Sequence, residues 1–231
     1  MSGDQMIDSF KQYYDKITNL AAPGYTDTEI ILFLNNAQDE FIQDRVFGKE
    51  NQSLVNDRIQ RRATDLRPIT TKGTLDATTD PLPVIDREFW FLLTGLASYQ
   101  YILSAQIGIT RTAYPKITST EIVRCDIVDG KQWQNFSGYN YMNKMVLHKI
   151  PLIVEEGTIK VIVDTYTTIV NNGLYVSYTK IPTPIAASTA IPDLASHTHQ
   201  EIVDIAVRQA LATSQDTRYQ SQLAEQQIKK S

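Results

Sequence analysis

Apolar residues recur every three or four positions at both ends of this 231-residue chain and every second position through much of its middle. One regular element cannot satisfy both periods, because a helix repeats every 3.6 residues and a strand every two. The expected order is therefore helices, a β-rich middle and a final helix. Met6, Phe10, Tyr13, Ile17 and Leu20 form a narrow stripe on a first helix that Pro23 and Gly24 stop. Thr26 and Glu29 stand in capping-box spacing, the hydroxyl placed to accept a backbone N–H and the carboxylate to reach back. A second helix should begin there. Ile30, Leu34, Ala37 and Phe41 form its apolar face, backed by Ile31, Phe33 and Ile42, while Asn35, Asn36, Asp39 and Glu40 face elsewhere and Gly48 ends it.

Leu54, Val55, Ile59 and Leu66 continue a weaker helical pattern, with Arg58, Arg61 and Arg62 on its surface, until Pro68 closes it. The threonines at 70, 71, 74, 78 and 79, with Gly73, Pro81 and Pro83, favour strands and turns. Phe89, Leu92, Leu93 and Leu96 also fit a helix face, but the run Phe89 to Leu93 with Tyr99 and Tyr101 is read as strand. Ile153 and Val154, then Glu155-Glu156-Gly157, then Ile159, Val161 and Val163 predict a hairpin. A second hairpin is predicted where Thr167 to Val170 meets Asn171-Asn172-Gly173 and leaves through Leu174, Val176 and Tyr178. Pro182, Pro184 and the small residues up to Pro192 read as a connector. From His197 the pattern is helical again, with Ile202, Val203, Ala206, Val207 and Ala210 on one face. The fold class expected is α+β: a helical body from residues 1–67 and 195–231, and an inserted region of antiparallel hairpins from 68–194.

The chemistry-bearing residues are few. A net charge of −4 and a pI near 5.4 do not suit non-specific grip on nucleic-acid phosphates. Cys125 is the sole cysteine, which excludes an internal disulfide and a cysteine-rich metal site; an ordinary half-buried thiol is expected. Charges at Asp4, Asp8, Lys11 and Asp15 are unlike an export signal, and the apolar runs are too short to span a bilayer, so a soluble protein without membrane contact is expected. His197 and His199 invite a zinc hypothesis, but they do not share a helical face and no third ligand stands beside them. Local structure at a helix start is the better reading, with Ser196 or Thr198 as cap and Glu201 in the first turn. Gly-x-Ser-x-Gly, Walker and GxGxxG motifs are missing. The chain is therefore read as non-enzymatic, with no catalytic residue, metal or cofactor.

Two features suggest contacts with other molecules. Arg58, Arg61 and Arg62 form a basic patch that could meet DNA phosphates, pair with Asp57 or Asp65, or face a neighbouring subunit; the solvated or interfacial reading is taken. If the last helix runs unbroken from Gln200, Tyr219 and Leu223 fall almost opposite Val203, Val207 and Ala210. The Gln-rich remainder is either a frayed tail or a docking segment that orders on a partner. Tyr219, Leu223 and Ile228, with the three arginines, are the interface candidates.

Several stretches together resemble the connector or neck ring proteins of tailed bacteriophages, most closely those of crAss-like phages. They are Glu29-Ile-Ile-Leu-Phe-Leu-Asn-Asn-Ala-Gln-Asp-Glu-Phe41, Asp164-Thr165 with Tyr175-Val-Ser-Tyr-Thr-Lys-Ile-Pro182, and His199-Gln-Glu-Ile-Val-Asp-Ile-Ala-Val207 with Asp216-Thr-Arg-Tyr219. None is a diagnostic motif on its own. The resemblance implies a virion protein, assembled in the host cytoplasm, in a closed ring of about twelve copies of itself. It implies contacts with the portal and adjoining neck or tail rings, and double-stranded DNA passing through the channel without sequence recognition.

Overall fold

The structure, a computed structural model, describes residues 1–18, 24–47, 63–78, 88–113, 117–128, 130–131, 150–155, 157–163 and 167–213. The chain is mixed α+β and divides into two units, one from Met1–Ile69 together with Pro182 onward, the other from Thr70–Ile181.

The first unit is helical. Helix α1 (Gly3–Thr18) buries Met6, Ile7, Phe10, Tyr14 and Thr18. The expected stripe is therefore turned by one position: Tyr14 is inside and Tyr13 outside. Both positions suit a 3.6-residue repeat, but Tyr14 stacks on Phe10 with ring centroids 5.9 Å apart and meets the edge of Tyr25 at 5.2 Å. Helix α2 (Asp27–Phe47) opens with the capping box that the sequence predicts. Thr26 N donates to Glu29 Oε2 at 2.8 Å, and Glu29 N donates to Thr26 Oγ1 at 3.4 Å. The bonds that the carboxylate accepts from Thr26 N and, at 2.7 Å, from Thr26 Oγ1 favour the ionised form and hold the Glu29 carboxyl below its usual pKa. Ile30, Leu34, Ala37, Phe41 and Ile42 are buried as expected. Helix α3 (His199–Thr213) returns from the far side of the sequence and lies against both α1 and α2 through Ile202, Val203, Ala206, Val207 and Ala210. Of the third helical stretch expected from sequence, only residues 63–66 are described, and they are helical. Leu20, Pro23, Gly48, Leu54, Val55 and Ile59 lie outside the described residues.

The segment 182–194, read from sequence with the β-rich region, is held on the helical unit. Asn35 is not a bystander on the polar face of α2. Its Oδ1 accepts from Ile185 N at 2.8 Å while its Nδ2 donates to Ile185 O at 3.1 Å, so one side chain satisfies both backbone groups of Ile185. The same segment caps α1: Gly3 N donates to Ala190 O and Asp4 N to Ser188 O, each at 3.2 Å. Two of the N–H groups that a helix start leaves without intrahelical partners are thereby satisfied. The approach is close enough that a Cβ at Gly3 would sit 2.0 Å from Ala186 O.

The second unit is a closed barrel. Its strands are β1 (Thr70–Thr78), β2 (Glu88–Leu92), β3 (Tyr99–Ala113), β4 (Ile117–Ile127), β5 (Ile150–Glu155), β6 (Thr158–Ile162) and β7 (Thr167–Lys180). They follow each other around the ring as β1-β2-β6-β5-β4-β3-β7. Antiparallel hairpins alone cannot close such a ring. Strand direction must alternate at every antiparallel step, and with seven strands in the ring at least one step must be parallel; here it is β4 with β5, through Cys125↔Ile150, Asp126↔Pro151 and Ile127↔Leu152. The hairpin predicted around Gly157 is present between β5 and β6, with Glu155↔Thr158 as its last pair and Gly157 at φ +84°.

The second predicted hairpin does not form. Residues 167–180 make one strand, and Asn171-Asn172-Gly173 falls in a wide bulge. Between the pairs Ile107↔Leu174 and Ile109↔Ile169, β3 advances two positions and β7 five. The physical reason is the length of β3, which runs past the bulge and offers backbone partners to both halves of β7. Pairing with one template in one direction outweighs the local turn preference.

Inward positions meet across the register: Leu75 with Leu174, Leu174 with Ile107, Ile107 with Val123, Cys125 with Ile150, Leu152 with Val161, Phe91 with Ile159. All of these side chains are buried in one apolar cluster. A barrel of about eight strands is just wide enough to be filled by side chains, and this one is filled. Truncating Ile107 to Ala, at the centre of that cluster, is expected to cost about 2–5 kcal/mol in urea unfolding. Gly3→Ala forces a backbone carbonyl to move and is expected to cost about 1–3 kcal/mol; an unchanged unfolding midpoint would show that the 186–190 segment does not cap α1.

Candidate functional site

The densest polar constellation among the described residues lies where α3 begins. A short 3-10 turn, Ser196–Thr198, leads into α3. Thr198 Oγ1 donates back to Ala195 O at 2.8 Å. From this turn His197 Nε2 donates to Asp65 Oδ1 at 2.7 Å. The other oxygen, Asp65 Oδ2, accepts from Arg45 Nε at 2.8 Å, and Arg45 Nη2 reaches Glu201 Oε2 at 2.7 Å. The guanidinium also sits over the Phe41 ring, 4.5 Å from its centroid. Burial disfavours the charge of Arg45, but the bonds to Asp65 and Glu201 more than offset this, and its pKa rises above the usual value.

A carboxylate behind an imidazole is the arrangement that orients a general base. Here the carboxylate is shared. The side chain of Asp65 is only 8% exposed and has one oxygen committed to Arg45, so the pair reads as part of a clasp joining residue 65, α2 and α3. His199 is a second tie. It is fully buried, its Nε2 donates to Leu194 O at 2.9 Å and its Nδ1 accepts from the Met1 nitrogen at 2.9 Å. Burial is the main cause that lowers its pKa. The sequence reading of both histidines as local structure at a helix start is too narrow, since each reaches a distant part of the chain. Among the described residues, no group of three or more His, Cys, Asp and Glu side chains is placed to hold a metal ion.

Cys125 faces the barrel interior and is fully inside, not half-buried. Burial, then the neighbouring charge of Asp126, pushes its thiol up to about 12, so it stays protonated at neutral pH and is a poor nucleophile. Arg58, Arg61, Arg62, Tyr219, Leu223 and Ile228, the interface candidates from sequence, lie outside the described residues. The sequence offers Asp65 only as a possible partner of Arg58, Arg61 and Arg62, Glu201 only as a first-turn acid, and Arg45 not at all. Their partners stand 20, 132 and 156 residues away, and no local spacing signals such a network. No helix among the described residues is long and apolar enough to cross a membrane.

The two ties to Asp65 should differ in weight. Arg45→Met leaves a mostly buried carboxylate short of a charged partner and is expected to cost about 1–3 kcal/mol, below the full penalty for a buried pair because Glu201 remains in water. His197→Gln, at a side chain 56% exposed, is expected to cost less than about 1 kcal/mol. Urea unfolding of both variants checks the order, and a larger loss for His197→Gln would reverse it.

With the geometry in place, comparison with known proteins adds no assignment: no family model matches the chain, and no curated protein matches it.

Proposed function

We propose that this chain is a non-catalytic structural subunit of a larger assembly, and specifically a ring protein in the neck of a tailed bacteriophage. In this reading it joins portal and tail and continues the channel in which packaged DNA is retained and through which it is ejected. The observation that carries the non-catalytic part is the employment, among the described residues, of the two histidines and the cysteine. His199 is buried and bonded through both ring nitrogens, His197 shares Asp65 with Arg45, and the Cys125 thiol is sealed in the barrel. Each is used to hold the fold, and a hydrolase built on any of them would have to break a structural contact to work.

The phage part of the reading is supported by the sequence resemblance, which spans most of the chain. The acidic balance suits a conduit through which DNA must slide without being gripped. The partners proposed are copies of the same chain, the portal and the adjoining neck or tail rings.

Truncation tests the partner assignment, since a chain ending at Thr213 keeps every described residue of α3. The truncated chain should unfold at the same temperature as the full chain and fail to cosediment with purified portal rings, whereas the full chain cosediments. Equal cosedimentation of both would remove the docking role from Tyr219, Leu223 and Ile228. Absence of the protein from purified virions by mass spectrometry would sink the neck reading itself, and its location in a distal tail ring would move the proposal to that ring.

A further inference from the structure

The turn that opens α3 carries two histidines with opposite tolerance for a proton. His197 faces a carboxylate, Asp65 Oδ1 at 2.7 Å, and this contact survives whether the ring is neutral or charged, because Nε2 donates in either state. His199 is placed differently. Its Nε2 lies against an obligate acceptor, the Leu194 carbonyl, and so must carry hydrogen. Its Nδ1 lies 2.9 Å from an obligate donor, the Met1 nitrogen, and so must be bare. Only the neutral Nε2–H form fits both, and the ring itself is fully buried. A second ring proton would point N–H at N–H.

The contact at risk adjoins two others. Gly3 N and Asp4 N donate to Ala190 O and Ser188 O, and these bonds hold the first turn of α1 on the segment that also leads into His199. We propose that His199 is an acid-sensitive latch for the first turn of α1, which proton uptake by the ring releases from the 186–190 segment. The groups acting on His199 agree with this direction. His197 brings positive charge toward it. The acids of the neighbourhood, Asp65 and Glu201, are already engaged by His197 and Arg45. Burial lowers its pKa below the ordinary 6.5. The sign follows: the latch is fully closed above the unfolded-state pKa of 6.5 and weakens as pH falls below it, until the lower folded-state pKa is passed.

Amide hydrogen exchange followed by NMR tests the latch on the intact chain. Protection factors, corrected for intrinsic exchange, are compared at Gly3 and Asp4 between about pH 7.5 and about pH 5. In the wild type they should fall on the order of ten-fold for each pH unit within the window, while amides of the barrel core keep theirs. His199→Asn keeps an acceptor near the Nδ1 position but cannot titrate, so its Gly3 and Asp4 protection should not change with pH. His197→Gln should respond as the wild type does. Unchanged wild-type protection, an acid response that persists in His199→Asn, or one abolished by His197→Gln would each overturn the proposal. Should His199→Asn not fold, ring-nitrogen shifts of wild-type His199 decide: its titration must coincide with the loss of protection, and a loss centred in the carboxylate range counts against the latch.

Discussion

The pairing of Thr70 with Thr179 is the constraint on which the architecture turns. The barrel unit is inserted into the helical one, and α3 cannot reach α1 and α2 until the chain that separates them has been closed into a loop. Closing a long loop costs conformational entropy that grows slowly with length and must be met before the distant contacts form. The first residue of β1 and the next-to-last residue of β7 are register partners, so a formed barrel brings the two crossing points of the chain together by its own hydrogen bonding. Closure of the sheet also removes the edges that would otherwise invite pairing with other chains. One parallel step, β4 with β5, is the topological condition for that closure.

Within the helical unit the apolar face of α3 supplies the burial, and polar ties set its position. Asp65 is central to them, because its two oxygens bring together His197 and Arg45, and Arg45 extends the network to Glu201. Asn35 performs the same service for Ile185 by standing in for a neighbouring strand. Buried carboxylates and amides are costly unless every polar atom has a partner, so such groups restrict the helices to the one arrangement that satisfies them. A purely apolar interface would allow α3 to slide along α1 and α2 with a smaller penalty.

The proposed function and this economy of polar groups belong together. Among the described residues, Cys125 is drawn into the barrel interior, His199 into the helical unit and His197 into the clasp, which suits the proposal of a subunit that works by shape and stacking. The barrel interior is filled by apolar side chains.

Local physics was legible in the sequence. The capping box of Thr26 and Glu29, the apolar faces of α2 and α3, and the β5–β6 turn at Gly157 depend on residues within a few positions of each other, so their spacing alone determined them. Mixed helical and strand content followed from the change of period. The candidate site was less legible, because Arg45, Asp65 and Glu201 look like ordinary surface charges until the chain has returned from the barrel. Tertiary structure alone decided between Tyr13 and Tyr14, made Asn171-Asn172-Gly173 a bulge instead of a turn, and closed the strands into a barrel through a parallel pair. In each of these cases local preference allowed more than one outcome, and the choice fell to a partner in another element: the Tyr25 ring, the long β3 template, or the β5 strand beside β4.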